Sequence, residues 1–364
     1  MTIGSFPFRY LGVPLHSRKL FYTECKPLIA KVVARVKTWT VRKLSYADRA
    51  QLIRSVLQGI QAYWCQIFLL PKKVLREIQT TLRSFLWTGM DTNSRKSPIS
   101  WDYMCNKKVC GGLNFKEIIT WNKAAIAKHF WALALKQDRL WIKWLHVYYI
   151  KQADVWTAAI PNRLSWAIKK ILEARHLLID LTTCNQFVYH NKFSIRKCYW
   201  FLRGEQPKVE WRRITCNSKA SPKAIFITWM MLHGRLNIKT RLYQWGVVKD
   251  KHCPICNTAD ETLEHLFFTC DYSKAIWSRC LQLINVNITS DLATIISTVA
   301  KHSRKKHRHH QLLNMLFIEC VYHIWIQRNR KVFDDQFLPP LQVIRQIVFA
   351  VACRCDCDVT QLIL

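Results

Sequence analysis

The amino-acid sequence predicts a mainly α-helical fold with little β structure. Apolar residues recur every three or four positions along most of the chain, which is the spacing of one face of a helix. Only 9 glycines and 11 prolines occur in 364 residues, so residues that form tight turns are sparse. Hydrophobic residues make up 50% of the chain, which is enough to bury a sizeable core. These observations favour helices packed into bundle-like regions.

The first region, residues 1–90, is predicted to contain three helices. Ser45 and Asp48 form a capping signal that starts the second helix. Pro71 is placed to open the third helix, and Gly89 is placed to end it. The first helix is indicated by apolar residues at helical spacing, namely Leu28, Val32, Val36 and Trp39.

The second region, residues 91–190, begins with a polar segment that predicts a loop, and Gly111–Gly112 predicts a turn. Helices are expected again from Lys116 to Ile150. This stretch carries four tryptophans, which we interpret either as core packing residues or as an exposed platform for stacking bases: Trp121, Trp131, Trp141 and Trp144. Strand propensity is found only in the segment Gln186–Ile195, so any sheet should be small.

The third region, residues 191–290, contains three cysteines and one histidine at metal-ligand spacing. The pattern is Cys-x2-Cys-x8-His-x4-Cys, formed by Cys253, Cys256, His265 and Cys270. Two thiolates separated by two residues can face one ion, and three thiolates with an imidazole can complete a tetrahedron around zinc. Four protein ligands would leave no open position, which indicates structural rather than catalytic zinc. The predicted fold therefore includes a small zinc-binding module.

Other interpretations of the cysteines remain open at this stage. The Cys-Pro-x-Cys form also occurs in dithiol oxidoreductases, where it follows a strand of a βαβ unit. The segment before Cys253 is short and charged, and redox chemistry would need neither His265 nor Cys270. Disulfide bonds and coincidental spacing are the remaining alternatives.

The charge of the chain predicts a polyanionic partner. The formal net charge is +33, which favours RNA or DNA as the partner. No uninterrupted apolar stretch reaches the roughly 18–20 residues that span a bilayer, so neither a transmembrane helix nor a membrane partner is expected. The zinc segment 251–300 has three Lys or Arg against five Asp or Glu, whereas residues 191–250 have thirteen against three. We therefore predict that nucleic acid is bound in that preceding segment by Lys223, Arg235, Lys239 and Arg241.

The fourth region, residues 291–364, opens with the basic tract Lys301–His310 and continues with helices. Five Lys or Arg and four His occur within these ten residues. The tract is typical of a nuclear-localisation or phosphate-binding segment, but it can also be a solvated loop, and both interpretations can hold together. Nuclear localisation is the corresponding expectation.

Several segments resemble, in the same order, one family of proteins. The chain is similar to the region that follows the polymerase domain in plant LINE-type (non-LTR) retrotransposon reverse transcriptases, ending in the reverse-transcriptase zinc-binding domain. The resemblance covers nearly the whole chain and is carried by FRYLGVPL at Phe8–Leu15, LSYADRAQLIRSVLQGIQAYW at Leu44–Trp64, GGLNF at Gly111–Phe115, NKFSIRKCYWFLRG at Asn191–Gly204, SPKAIFITWMMLHGRL at Ser221–Leu236, and the CPIC and EHLFFTC motifs.

The resemblance implies zinc, nucleic-acid binding and a separate polymerase domain as a further partner. The family is an RNA-directed DNA polymerase, but the Tyr-x-Asp-Asp signature of its catalytic aspartates does not occur in this chain. The adjacent pair Asp334–Asp335 follows a basic helical run, and we expect it to be a solvated turn. The chain is therefore not expected to be an enzyme. The alternative to a nucleic-acid-binding fragment is a non-binding structural remnant of a transposon-derived open reading frame.

Overall fold

The chain folds mainly into α-helices. A computed structural model describes residues 8–10, 13–15, 18–40, 42–92, 94, 97–178, 185–216, 218–286, 291–303 and 308–355. The helices are α1 Lys26–Thr40, α2 Tyr46–Leu52, α3 Gln58–Ile67, α4 Lys72–Thr88, α5 Trp101–Met104, α6 Ile118–Ala134, α7 Leu140–Leu145, α8 Trp166–Glu173, α9 Arg175–Leu178, α10 Ile195–Arg203, α11 Arg212–Cys216, α12 Pro222–Leu232, α13 Lys239–Gln244, α14 Asp271–Gln282, α15 Leu292–His302, α16 Arg308–Asp334 and α17 Pro340–Ala352. Within the described residues, π-helical turns occur at Ile53–Leu57, His146–Ile150 and His265–Thr269.

The described β structure consists of two short antiparallel hairpins. Strands β3 Val188–Tyr189 and β4 Lys192–Phe193 lie in the segment where strands were predicted. Strands β1 Phe8–Tyr10 and β2 Val13–Leu15 pair with Phe8 opposite Leu15. The expectation that strand structure occurs only in the later segment was wrong, because three-residue strands are too short to show alternation. The expectation of a mainly α fold with little β structure is confirmed.

Two compact units make up the chain. The first consists of Met1–Leu44, Arg49–Cys105 and Phe115–Gln206. The second consists of Ser45–Asp48, Asn106–Asn114 and Pro207–Leu364. These boundaries do not coincide with the four regions outlined from the sequence (1–90, 91–190, 191–290 and 291–364), which stay predictions.

The predicted helix ends in the first ninety residues are confirmed. The backbone N–H of Asp48 donates to the Ser45 hydroxyl over 3.3 Å, and the N–H of Ser45 donates to the Asp48 carboxylate over 3.0 Å. Helix α4 starts after Pro71 and ends at Gly89. Gly89 has a φ of 75°, a left-handed conformation that glycine adopts without a steric penalty.

The core of the first unit forms around α6. Asn122 of this helix is fully buried, and its side-chain amide makes hydrogen bonds to backbone groups of the turn that follows α3. Its Nδ2 donates to the carbonyls of Cys65 and Phe68, and its Oδ1 accepts from the N–H of Leu70. Burial of this polar side chain is tolerated because all of these bonds are made.

The four tryptophans of the stretch Lys116–Ile150 differ in their burial. Trp131 is buried, and Trp121 and Trp141 are half-buried against the core around α6. Trp144 is 41% exposed. Core packing therefore accounts for three of the four rings.

The second unit is organised around the long helix α16. Glu319 of this helix is buried and accepts a hydrogen bond of 2.8 Å from the N–H of Ser221, the N-cap residue of α12. Phe317 packs against Phe268 and Trp277, with ring centroids 6.1 and 5.9 Å apart. Helix α16 thus contacts both α12 and the segment that carries the predicted metal ligands.

The C-terminal predictions are partly covered by the structure. The predicted helix after the basic tract is α16, and α17 packs against it. Residues 304–307 of the tract lie outside the described residues, so its interpretation stays open. Asp334 and Asp335 are both exposed at the end of α16, and Asp335 pairs with Lys331 at 2.7 Å. This exposure confirms that the two aspartates are solvated.

Among the described helices, none is both long and apolar enough to span a membrane.

Candidate metal centre

Four potential metal ligands converge in the second unit. One ligand atom from each of Cys253, Cys256, His265 and Cys270 lies within 4.8 Å of all the others. Cys253 and Cys270 are buried, whereas Cys256 and His265 are half-buried. The four residues selected from their spacing are therefore brought together at the edge of the core.

The first two cysteines lie in a tight loop closed by backbone hydrogen bonds. The N–H of Cys253 donates to the carbonyl of Ala259 over 2.7 Å, and the N–H of Asn257 donates to the carbonyl of Cys253 over 2.9 Å. Asn257 has a φ of 57°, a left-handed conformation that asparagine adopts more readily than most residues. This loop brings both sulfur atoms into the cluster.

His265 and Cys270 are positioned by the π-helical turn His265–Thr269. The N–H of Cys270 donates to the carbonyl of His265 over 2.8 Å, and Cys270 is the N-cap residue of α14. His265 Nε2 lies 3.2 Å from Cys256 Sγ, so Nε2 faces the cluster. Nδ1 lies 3.4 Å from the hydroxyl oxygen of Thr269. When Nε2 binds a metal, Nδ1 carries the hydrogen and donates it to Thr269, which fixes the orientation of the ring.

The surroundings of the sulfur atoms favour thiolates at two positions. A hydrogen bond from the Cys270 thiol, and others from the backbone of Cys256 and Ile255, lower the pKa of Cys253 to about 6. Burial raises the pKa of Cys256, but hydrogen bonds led by those from Thr258 outweigh burial and leave this pKa lowered. The hydrogen bond to Cys253 raises the pKa of Cys270. Zinc binding requires that all three cysteines lose their protons.

The donor set fits a zinc ion. Tetrahedral zinc with Zn–S bonds of about 2.3 Å places its ligand atoms about 3.7 Å apart. Cys256 Sγ and His265 Nε2 are 3.2 Å apart, and all four ligand atoms lie within 4.8 Å of one another. Three thiolates and one imidazole are typical ligands of structural zinc and leave no position for a reactive water. In the described part of the chain, no second group of three or more His, Cys, Asp or Glu converges in this way.

A family match covers this centre. Residues 193–277 match the family described as zinc-binding in reverse transcriptase. The matched segment contains all four converging ligands. The segment that carries the four ligands is therefore similar to the zinc-binding segment of reverse transcriptases.

Two proteins of Arabidopsis thaliana are similar to parts of this chain. One, named a "putative ribonuclease H protein", is 28% identical over 129 residues, which cover 35% of this chain and 21% of that protein. The other, an uncharacterized mitochondrial protein, is 23% identical over 121 residues, which cover 33% of this chain and 79% of that protein. The aligned stretch thus spans about one fifth of the first relative.

A buried ion pair connects the metal loop to α16. Glu261 lies between the second and third ligands and is fully buried, and Arg328 of α16 is 4% exposed. Arg328 Nε lies 2.6 Å from Glu261 Oε1, and Nη2 lies 2.8 Å from Oε2, a bidentate arrangement. The Glu261 carboxylate also accepts a hydrogen bond from the N–H of Lys239, and its carbonyl accepts one of 2.7 Å from the Thr240 hydroxyl. Glu261 therefore holds the start of α13 as well as α16.

The four cations predicted to bind nucleic acid differ in their surroundings. Lys223 and Arg235 are exposed. Lys239 Nζ lies 2.8 Å from the Asp250 carboxylate, so part of its charge is compensated. The guanidinium carbon of Arg241 lies 4.4 Å from the centre of the Trp245 ring. The structure does not test whether these four residues contact nucleic acid, so their assignment stays a prediction.

Two features near the centre have no clear signal in the sequence. From the sequence alone, the hydrogen-bond partner of the His265 ring could be any of several nearby oxygens. Only the π-helical turn identifies it as the hydroxyl of Thr269. The pairing of Glu261 with Arg328 joins residues 67 positions apart, and neither belongs to a recognisable motif. His252, which directly precedes Cys253, places its Nδ1 2.6 Å from an Asp250 oxygen and is not part of the cluster.

Proposed function

We propose that this chain is a zinc-dependent nucleic-acid-binding fragment of a reverse transcriptase from a plant LINE-type retrotransposon, without the polymerase catalytic core. The observation that carries the proposal is the Cys3His cluster within the segment that matches the reverse-transcriptase zinc-binding family. The order of the other family-like segments supports the LINE assignment. The absence of a Tyr-x-Asp-Asp sequence supports a role other than polymerisation.

In this proposal zinc has a structural role, and the neighbouring segment meets the nucleic acid. The metal holds the loop that contains Glu261, and Glu261 binds the first N–H of α13. Helix α13 carries Lys239 and Arg241, and the ring of Trp245 directly after it is 56% exposed. An exposed ring beside a guanidinium offers a surface on which a base can stack.

Binding to single-stranded RNA tests the proposed surface. Replacing Arg235, Lys239 and Arg241 together by alanine should weaken binding and reduce the slope of log affinity against log salt by about 2, since each lost phosphate contact removes about 0.7. Fluorescence anisotropy over a range of salt concentrations measures both quantities. The matched control replaces three exposed cations of α1, Lys26, Lys31 and Arg35, and changes the net charge equally. Equal effects of the two triple variants would contradict a localised surface.

Zinc content tests the metal centre. Cys256→Ser should release the metal, because a hydroxyl is a much weaker zinc ligand than a thiolate, and should lower the melting temperature. Cys353→Ser is the control, because this exposed cysteine lies outside the cluster. One retained equivalent of zinc with unchanged melting would exclude Cys256 as a ligand.

Activity measurements separate the proposal from its alternatives. The purified chain should not extend a primer on an RNA template with magnesium and nucleotides, and extension would refute the non-polymerase assignment. A chain that holds zinc but retains no RNA or DNA at micromolar concentration would instead be a structural remnant.

A further inference from the structure

An exposed apolar stripe lies on the first unit, on the helical stretch from Leu140 to Ile150. This stretch consists of α7 and the π-helical turn that follows it. One face is buried in the core, as in most helices of folded proteins, and carries Ile142, Leu145 and Ile150. Another face is exposed although four large apolar side chains lie on it, which is typical of a binding surface. The exposed fractions are 86% for Leu140, 41% for Trp144, 66% for Val147 and 65% for Tyr148.

The helical stretch is held in place by hydrogen bonds and by a ring contact. His146 Nε2 lies 3.0 Å from the Leu133 carbonyl of α6. The N–H of Lys151 donates to the His146 carbonyl over 2.7 Å and closes the π-helical turn. The half-buried ring of Tyr149 packs edge-on against Trp144, with ring centroids 5.0 Å apart. The Trp144 ring is therefore positioned before a ligand binds, which lowers the entropic cost of binding.

Trp144 and Tyr148 present two aromatic rings next to each other. Their ring centroids are 6.1 Å apart, and their planes are inclined by 44°. Bases stacked on two rings with this inclination are turned away from each other, which a single strand permits and the parallel base pairs of a duplex do not. Every base has a π face, so such stacking does not depend on sequence. The two rings therefore suit the unstacked bases of a single strand.

The charges around the stripe favour a polyanion. Residues 136–151 contain four exposed cations and one acidic residue, Asp138, which leaves a formal charge of +3. Lys143 Nζ lies 2.6 Å from the Asp138 carboxylate, so this cation is partly compensated. Proteins hold single-stranded nucleic acid with cations interleaved among aromatic rings. The cations are Lys136, Arg139, Lys143 and Lys151.

Two other occupants fit this face less well. A second copy of the chain would bring the same cations opposite one another, and each copy carries a net charge of +33. A lipid surface would be met first by Leu140 and Val147, the most exposed side chains of the stripe, and would not need two rings at a fixed inclination. The rings and the cations together favour nucleic acid.

We infer that the exposed apolar stripe binds single-stranded nucleic acid. Two bases stack on Trp144 and Tyr148, and the phosphates of the strand lie near Lys143 and Lys151. The inference rests on the proposed nucleic-acid binding and adds to it a stacking contact in the first unit, outside residues 221–250. This contact strengthens binding without selecting a sequence.

The protein-side test removes the two π faces and keeps apolar side chains. Trp144→Leu with Tyr148→Leu should weaken binding of a short single-stranded RNA at least about fivefold, the lower end of what one base–aromatic stack contributes. The slope of log affinity against log salt should stay unchanged, because no phosphate contact is removed. Fluorescence anisotropy measures both quantities. The matched control is Phe21→Leu with Tyr63→Leu, which removes two other exposed rings from the first unit.

The ligand-side test uses an abasic strand, which keeps the phosphates but has no bases to stack. The wild-type protein should bind RNA more tightly than an abasic strand of the same length. Trp144→Leu with Tyr148→Leu should narrow this difference at least about fivefold. Melting temperature confirms that the variant is folded.

Photo-crosslinking locates the contact in the wild-type protein and does not depend on the folding of a variant. RNA that contains 5-iodouracil crosslinks on irradiation to aromatic rings that stack on the modified base. Trypsin cleaves after Lys143 and Lys151, so residues 144–151 are released as one peptide. Mass spectrometry should find RNA attached to this peptide.

The outcomes distinguish this inference from the proposed function. RNA binding that the leucine variant does not weaken beyond its control, or crosslinks confined to residues 221–250, overturns the stripe and leaves the proposed function standing. Equal losses for RNA and the abasic strand overturn base stacking. A variant that loses binding to phosphatidylserine vesicles but retains RNA binding assigns the face to a membrane and overturns the inference. If the wild-type protein binds no nucleic acid, the proposed function and this inference both fail.

Discussion

The half-buried His233 is expected to make the second unit sensitive to acid. Its Nε2 lies 3.0 Å from the Gly111 carbonyl, and its ring packs edge-on against Trp211 and Trp229. Burial lowers the pKa of His233, and the charge of Arg235 lowers it further, against the opposing effect of the bond to Gly111. The neutral form is therefore favoured in the folded protein.

The pH dependence of folding follows from this lowered pKa. The unfolded chain binds a proton near pH 6.5, before the folded chain does, so the stability from neutral His233 is complete above about pH 6.5 and is lost as pH falls toward the folded-state pKa. His233→Gln should therefore reduce the loss of melting temperature between neutral and acidic pH. Thermal unfolding monitored at several pH values measures this loss of melting temperature. Substitution of the exposed His176 by Gln is the control. An unchanged pH profile in His233→Gln would show that this imidazole is not a source of the acid sensitivity.

The ligands could be predicted from residue spacing, but their surroundings could not. Cysteine and histidine have few roles that need this spacing, so Cys253 and His265 are recognisable without a structure. A carboxylate such as Glu261 occurs on many surfaces, and only the fold shows that it is buried against Arg328. The same limit applies to Asn314 of α16: only the fold shows that its Oδ1 is buried and has no hydrogen-bond partner among the described residues.

At the level of elements, the ion pair between Glu261 and Arg328 joins the metal loop, α13 and α16. Breaking it from either side leaves a buried charge without its partner. Glu261→Gln or Arg328→Met should each lower the free energy of unfolding by about 3–5 kcal/mol, and the double variant should recover much of that loss. Chemical denaturation in the presence of zinc measures all three variants.

A second ion pair on the same helix provides the control. Lys331 and Asp335 are 2.7 Å apart, and the Asp335 side chain is 89% exposed. Lys331→Met should change stability little, because water already solvates this pair. Additive effects of Glu261→Gln and Arg328→Met would mean that the buried pair does not act as a unit.

Local signals predict the helix ends better than the short strands. Pro71 and Gly89 act on the backbone directly, so the bounds of α4 follow from the sequence. The pairing of Phe8–Tyr10 with Val13–Leu15 leaves too few residues for a periodic pattern. The π-helical turn at His265–Thr269 is also invisible in the sequence, since no residue type specifies one.

On the scale of the whole molecule, the two units should respond differently to loss of zinc. All four ligands, and the contacts of Glu261 with α13 and α16, lie within the second unit. Removing zinc with a chelator should therefore increase amide hydrogen exchange in residues 239–282, while α4 and α6 of the first unit stay protected. Hydrogen-exchange mass spectrometry measures both regions in one experiment.

A converse variant controls for general loosening of the chain. Gly89→Ala places a Cβ at a φ of 75° and within 2.8 Å of the Arg49 guanidinium in the first unit. It should increase exchange around α4 and leave residues 239–282 protected when zinc is present. Equal deprotection of both units after chelation would show that zinc stabilises the entire chain instead of its second unit.

The π-helical turn makes the length of the metal segment a constraint of its own. Each residue of an α-helix rotates the next side chain by about 100° around the axis. The turn at His265–Thr269 holds an extra residue between two ligands, so one deletion or insertion there would direct Cys270 away from the ring nitrogen that faces Cys256. Single-residue exchanges at the exposed Thr269 keep this register. During sequence drift, insertions and deletions in this segment would therefore abolish the centre at once, whereas many substitutions would preserve it.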